Sequence, residues 1–140
     1  GASDGEWQSV LSHRSEGDGS RDAAAARFRA AGVGAAQVRE ALSDGGDALY
    51  QAARRRSADW AEPFGGTRAV ALLAAEVSVF AAHVNSRASG VRSEAVAELL
   101  EAYSAVTVAG ELGVSRQKVY VIARSGVRPP YIDTVPWRSP

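Results

Sequence analysis

The pattern of apolar and polar positions predicts helices along most of the chain. Apolar residues recur at helical spacing in segments bounded by glycine, and the alternating runs typical of strands are absent. The first helix is predicted to run from an N-cap at Ser20 to a stop at Gly32. A second helix ends at the Gly45–Gly46 pair, and a third begins at Asp47. The pattern therefore predicts an all-α fold of six or seven short helices.

The most apolar segment is predicted to form a helix from Thr67 to about Asn85. Leu72 and Val79 give this helix a second apolar face. The residues of its first apolar face are Val70, Leu73, Val77, Phe80 and Val84. A helix with two apolar faces is either central to a core or shared with a partner subunit. We therefore predict that residues 67–85 mediate a homodimer.

A turn at Ser89–Gly90 is predicted to separate this helix from an amphipathic helix that begins at Val91. The residues predicted to face inward on that second helix are Val96, Leu99, Leu100 and Tyr103. Residues 1–19 are rich in glycine, serine and aspartate, which predicts a mobile tail, with a short docked turn at Trp7, Val10 and Leu11 as the alternative. Residues 127–140 contain four prolines and are predicted to form an extended arm. Its apolar residues, Tyr131, Ile132, Val135 and Trp137, are expected to pack back on the core or on a partner, in preference to the alternative that Arg128 enters the minor groove of a DNA duplex.

Composition argues against metal, cofactor and catalytic sites. The chain has no cysteine, which excludes disulfides and thiolate metal ligands. Its two histidines, His13 and His83, have no carboxylate cluster at ligand spacing, and His83 is predicted to be a packed core or interface histidine. Motifs for a phosphate loop, a nucleophile elbow or a dinucleotide are absent. We expect no catalytic residue, no metal, no cofactor and no enzymatic activity.

Fifteen of the sixteen basic residues are arginine and alanine is abundant, which is typical of a bacterial genome with high GC content. The longest apolar stretch, residues 69–84, is too short for a membrane span and is interrupted by Glu76 and His83. No signal peptide is visible in the sequence. We expect a cytoplasmic protein that does not use a membrane.

The net charge is zero, but the charges are unevenly distributed. Residues 1–26 hold five acids and two arginines, whereas residues 113–140 hold five basic residues and one acid. A phosphate backbone responds to charges within about 10 Å, so overall neutrality is compatible with DNA binding. The Arg54–Arg56 triplet is interpreted as a solvated helix end rather than a phosphate clamp.

Residues from about 105 to 125 meet the requirements of two crossing helices joined by a tight turn. The arrangement needs apolar residues that face the core, a small residue where the helices cross, and glycine in the turn. The residues that meet these requirements are Val108, Ala109, Leu112, Gly113, Val114, Val119 and Ile122. Ser115 adds an N-cap for the second helix.

On these residues the segment 91–125 resembles the trihelical helix-turn-helix of bacterial DNA-binding proteins, in the short form of repressors, resolvases and transposases. The resemblance covers about a quarter of the chain. It implies that the second helix lies in the major groove of double-stranded DNA. The implied base contacts are Ser115, Arg116, Gln117 and Val121. The implied phosphate contacts are Ser104, Thr107, Lys118, Tyr120, Arg124 and Arg128.

The implied base contacts have chemistry that distinguishes bases. The guanidinium of Arg116 suits O6 and N7 of guanine, and the amide of Gln117 suits N6 and N7 of adenine. Val121 suits the methyl group of thymine. The phosphate contacts position the protein without specifying a sequence.

The predicted organisation combines a helical support with this DNA-binding unit. Its parts are a mobile tail (1–19), an N-terminal helical region (20–66), an apolar support and dimerisation helix (67–90), a helix-turn-helix (91–126) and an extended arm (127–140). The expected function is sequence-specific DNA binding by a small transcriptional regulator. One alternative is a protein-interaction adaptor in which the motif is a scaffold, with the N-terminal region or the arm as a partner surface. Another is the DNA-binding fragment of a recombinase or transposase.

Overall fold

A computed structural model describes residues 4–127 and Val135 of the 140-residue chain. These residues contain seven α-helices and a short 3-10 helix at Glu62–Phe64, and no strand. The α-helices are α1 (Asp4–Val10), α2 (Ser20–Ala30), α3 (Ala35–Ser43), α4 (Asp47–Arg55), α5 (Thr67–Ala102), α6 (Ala105–Leu112) and α7 (Arg116–Ser125). The predicted all-α fold class is confirmed.

The chain divides into two compact units, one formed by residues 1–83 with 133–140 and the other by residues 84–132. The first part of α5 belongs to the first unit and its second part to the second unit. The predicted boundary at residue 90 therefore lies inside the second unit.

The N-terminal residues belong to the core of the first unit, so the predicted mobile tail is wrong for residues 4–13, and the alternative of docked apolar residues is borne out there. Trp7, Val10 and Leu11 are buried, and the Trp7 ring stacks on Phe28 with 5.8 Å between ring centroids. These three apolar residues are spaced to lie on one side of a helix. Burying that side outweighs the glycine, serine and aspartate content around it.

Aspartate side chains accept the backbone hydrogen bonds at two helix starts in the first unit. At α2 the aspartate takes the place of the predicted serine. Asp44 accepts hydrogen bonds from the backbone N–H groups of Gly46, Asp47 and Ala48, which confirms the predicted start of α4. Ser20 is the first residue of α2 instead of its N-cap. The N–H of Ser20 donates to the Asp18 carboxylate, so aspartate takes the predicted role of the serine hydroxyl.

The helix α5 runs unbroken for 36 residues, about 54 Å, and the predicted turn at Ser89–Gly90 is wrong. A glycine inside a helix costs only about 1 kcal/mol relative to alanine. This cost is too small to end a helix whose residues before and after the glycine are both packed in a core. Packing also favours glycine at this position, because a Cβ at Gly90 would lie 3.2 Å from the Cα of Val127.

By length and composition, α5 is the one helix of the described residues that is apolar and long enough to cross a membrane. Core helices of soluble proteins meet the same criterion. In the first unit, α5 contributes Leu73, Phe80 and a buried charged residue, Glu76, to the core.

The predicted apolar face of α5 is largely confirmed. Val70, Leu73 and Phe80 are buried and Val77 is half-buried against the core, but Val84 is 37% exposed. On the second predicted face, Leu72 packs partly against the core and Val79 is exposed.

The second unit has a small aliphatic core contributed by the end of α5, α6 and α7. Its buried members are Val96, Ala105, Val108, Ala109, Val119 and Ile122. Leu99 and Leu100 pack partly against them, as predicted. Tyr103 is 55% exposed, so its predicted inward position is wrong. It follows the last residue of α5 and precedes the capping residue of α6, outside the regular helical spacing.

Candidate nucleic-acid interface

A serine cap starts α6. The Oγ of Ser104 accepts a hydrogen bond from the backbone N–H of Thr107 at 3.1 Å, and the two side-chain hydroxyls lie 3.0 Å apart. Both residues were predicted to contact phosphate, and both are exposed in the first turn of the helix. The start of α6 therefore presents two hydrogen-bonded hydroxyl groups, those of Ser104 and Thr107, at the surface.

The turn between α6 and α7 depends on glycine. Gly113 has φ of 68° in the left-handed region, and the N–H of Val114 donates to the carbonyl of Ala109 at 3.1 Å. This conformation strains any residue with a Cβ, which is the reason that glycine was predicted here.

The helix α7 begins at the predicted cap. The Oγ of Ser115 accepts from the backbone N–H of Lys118 at 3.1 Å. Val119 and Ile122 are buried against the small aliphatic core, which includes the fully buried Val108. These contacts fix the inner face of the helix.

One of the seven predicted packing positions is wrong. Leu112 is 43% exposed, although it was predicted to face the core. It is the last residue of α6, and Val114, just after the turn, packs partly against the core instead. Val108, Ala109, Val119 and Ile122 are buried as predicted.

The outer face of α7 carries two of the four predicted base contacts, Gln117 and Val121. With 100° of rotation per residue, Gln117, Val121 and Arg124 form a row opposite the buried Val119 and Ile122. Val121 is 46% exposed. Arg124, which was assigned to phosphate, thus shares a row with two residues assigned to bases.

The remaining predicted contacts lie beside this row. Arg116 and Lys118 project from its two sides, and the Tyr120 ring is 48% exposed next to Val121. Ser115 is exposed at the start of the helix. The structure therefore brings together on one helix every predicted base contact and three predicted phosphate contacts.

The charge of α7 is entirely positive. Arg116, Lys118 and Arg124 form no ion pair with any residue in the described ranges. The acids of the second unit in these ranges lie on other helices and are exposed: Glu94, Glu98, Glu101 and Glu111. The exposed surface of α7 is thus available to an anion.

Sequence reasoning missed the buried residue that holds the end of α7. The Oγ of Ser93 on α5 accepts from the N–H of Gly126 at 2.6 Å and donates to the carbonyl of Ala123 at 3.3 Å. Ser93 is 1% exposed. A serine three residues before the buried Val96, and therefore on the same helix side, is the signal that points to this role.

Arg128, the last predicted phosphate contact, lies outside the described residues. Of the predicted arm, Val127 is exposed and Val135 is buried in the core of the first unit.

Sequence reasoning also missed a buried ionic cluster in the first unit, which we call the Glu76 cluster (His13, Arg14 and Glu76). The carboxylate of Glu76 accepts from Nε and Nη2 of Arg14 at 2.9 and 2.8 Å, and lies 2.5 Å from Nε2 of His13. Burial alone raises the pKa of Glu76. Hydrogen bonds from His13 and Arg14 and attraction to both residues outweigh burial and hold that pKa below its usual value.

The sequence carried a signal for this cluster. Glu76 follows Leu73 by three positions and precedes Phe80 by four, so it lies on the apolar side of α5 and requires a buried partner. His83, predicted as a packed histidine, is buried one turn beyond Phe80. No group of three potential metal ligands exists within the described part of the chain.

No family model, no curated protein and no solved structure matches this chain. Function is therefore inferred from the side chains that the second unit exposes.

Proposed function

We propose that the protein is a sequence-specific DNA-binding protein, most simply a small transcriptional regulator, that inserts α7 into the major groove. The observation that supports this proposal is the surface of α7. The inner face of α7 packs in the core of the second unit, and its outer row is Gln117, Val121 and Arg124. The helix carries three basic residues and no acidic residue. A helix of this kind offers hydrogen-bond donors and an apolar group to base edges.

Individual roles follow from side-chain chemistry. Arg116 and Gln117, in the first turn of α7, form forked hydrogen bonds to guanine and adenine, and Val121 contacts a thymine methyl group. The hydroxyl of Ser115 is engaged in the cap, so its base contact would use the second lone pair or the hydroxyl proton. The phosphate contacts are Ser104, Thr107, Lys118, Tyr120, Arg124 and Arg128.

A second copy of the chain would complete the DNA-binding surface. A single helix of ten residues buries little DNA surface, and specific affinity usually requires two such helices on a near-palindromic site. We place the homodimer contact on residues 67–85. The supporting feature is an exposed side of α5 that carries Val79 among small residues: Ala71, Ala74, Ala75, Ser78, Ala81 and Ala82.

The decisive experiment is selection from a random-sequence duplex pool, followed by fluorescence anisotropy at about 50 and 200 mM salt. Arg116→Ala/Gln117→Ala should reduce the preference for the selected sequence by about 10-fold or more, because each forked contact discriminates by about 1–3 kcal/mol. Arg27→Ala is the control, because it removes one exposed charge from the first unit.

Two results would contradict the proposal. One is a pool from which no sequence is enriched even at low salt. The other is a double variant that keeps the wild-type preference while its circular dichroism is unchanged. For the dimer, light scattering that gives a monomer mass at micromolar protein, with and without the selected duplex, would exclude the second copy.

A protein-interaction adaptor is the second candidate. The observation that favours it is the exposed apolar surface of the second unit outside α7, at Tyr103, Val106 and Leu112. An adaptor of this kind would bind its partner with unchanged affinity after Arg116→Ala/Gln117→Ala. Replacement of Val106 and Leu112 by serine would instead abolish that binding.

A further inference from the structure

We infer that the Arg54–Arg56 triplet, at the end of α4, binds the phosphate backbone of double-stranded DNA as a second contact located in the first unit. The inference depends on the proposed function only for the identity of the polyanion. Neither the base contacts nor the phosphate contacts proposed for the second unit include these arginines.

The first observation is that the triplet is exposed and unpaired. All three side chains are exposed, and none forms an ion pair or a side-chain hydrogen bond with the described parts of the chain. Structural arginines of the same unit behave differently: Arg14 binds Glu76, and Arg21 donates to the carbonyls of Ser12 and Arg14.

The second observation is the backbone of Arg56. It caps α4 in the left-handed conformation, with φ of 50° and ψ of 36°, and its N–H donates to the carbonyl of Ala52. Glycine is by far the most common residue for this position, because a Cβ makes the conformation unfavourable. Residues that violate such a local rule are concentrated at functional sites.

The helix dipole does not account for Arg56. Arg54 and Arg55 occupy the last turn of α4, where a positive charge is favourable whatever else it does. Glycine at position 56 would leave that interaction intact and remove the backbone strain. The arginine therefore needs a use for its own side chain, and a phosphate contact supplies one.

The surroundings limit the contact to the outer side of the triplet. Asp47 and Asp59 line the same groove as Arg55, and both acids would repel a phosphate that entered it. Arg54 and Arg56 do not line the groove. We assign the phosphate contact chiefly to these two residues.

The test uses the full chain, a labelled duplex of scrambled sequence about 24 base pairs long, and fluorescence anisotropy from about 50 to 200 mM salt. Arg54→Ala/Arg56→Ala should lower affinity at 50 mM salt by roughly tenfold or more and reduce the slope of log K against log salt by about 2. The control, Arg27→Ala/Arg68→Ala, removes two exposed arginines elsewhere and should stay within about twofold of wild type.

A second variant separates a structural role from a binding role. Arg56→Gly should raise the melting temperature, because the strain at φ of 50° is relieved, while the affinity for the duplex falls. Arg56→Lys should retain the affinity because it retains the charge.

The inference would be overturned if the double variant and its control lost the same amount of affinity for the duplex. It would also be overturned if the Arg56→Gly protein kept the wild-type affinity. These outcomes are distinguishable from failure of the proposed function. If α7 does not recognise a sequence, the pool selection fails while the salt-dependent loss at Arg54–Arg56 persists. If the triplet is inert, the selected preference persists and the slope is unchanged.

Discussion

The two units of this protein bury different kinds of side chains. The first unit buries aromatic rings together with Glu76 and His13 of the Glu76 cluster. Among its described residues, the second unit buries only small aliphatic side chains and one polar residue, Ser93. The stability of the first unit should therefore depend on ionisation and on one long-range ionic contact. The stability of the second unit should depend more on its turn and its caps.

The largest effect should come from breaking the Glu76 cluster. Glu76→Ala leaves Arg14 and His13 without their acceptor inside the first unit, and loss of one partner of a buried pair costs about 3–5 kcal/mol. Urea denaturation followed by tryptophan fluorescence measures this loss, because all three tryptophans lie outside residues 84–132.

Glu40→Ala is the matched control, because it removes an exposed glutamate of the first unit, which is the unit that the tryptophans report. It should change the free energy of unfolding by less than about 0.5 kcal/mol. A loss of stability in Glu76→Ala that is no larger than the loss in Glu40→Ala would show that the cluster does not stabilise the first unit.

Part of the stabilisation that the Glu76 cluster gives the fold should be lost at acidic pH. The pKa of Glu76 in the folded protein lies below its ordinary value of 4.5, so the carboxylate stabilises the fold above that pH. This stabilisation is lost as the pH falls from 4.5 through the lowered pKa. Asp18, whose pKa is lowered by the hydroxyl of Ser15, acts in the same direction. Urea denaturation at several pH values should show a flatter acid dependence for Glu76→Gln, and an unchanged dependence would contradict the assignment.

The smallest effects should come from two glycines of the second unit, with opposite signs. Gly113→Ala should destabilise by about 1–2 kcal/mol, because φ of 68° is unfavourable with a Cβ. Gly110→Ala should stabilise by about 0.5–1 kcal/mol, since position 110 is helical and a Cβ there meets no atom within 4 Å. Amide hydrogen exchange at the buried Val108 and Val119 measures both changes in the full chain. The same sign for both variants would refute the role of the left-handed turn.

Local features of the sequence predicted the fold class and most of the α6–α7 surface. Gly113 and Ser115 act through neighbouring residues only, so their roles are visible in a short window. Leu112 and Tyr103 were misplaced because they lie at helix ends, where neighbouring packing decides which side chain turns inward.

Long-range contacts were beyond a sequence argument. Glu76 meets residues 62 and 63 positions earlier, and Ser93 meets residues 30 and 33 positions later. The apolar periodicity indicates that Glu76 and Ser93 are polar residues on apolar sides of α5, but it does not predict which residues they contact. The left-handed backbone of Arg56 could not be predicted either. Three consecutive arginines indicate the end of a helix, but they do not indicate the dihedral angles of the residue that caps it.

Val135 gives the order of synthesis a role in folding. Its side chain is buried, 4% exposed, in the same core as Trp7 and Leu73, although more than 120 residues separate Val135 from Trp7. On the ribosome, residues 1–83 of the first unit emerge before the second unit, but the core of the first unit lacks the Val135 side chain until residue 135 has followed. A nascent chain would therefore hold an incomplete first core while the complete second unit is already available to fold.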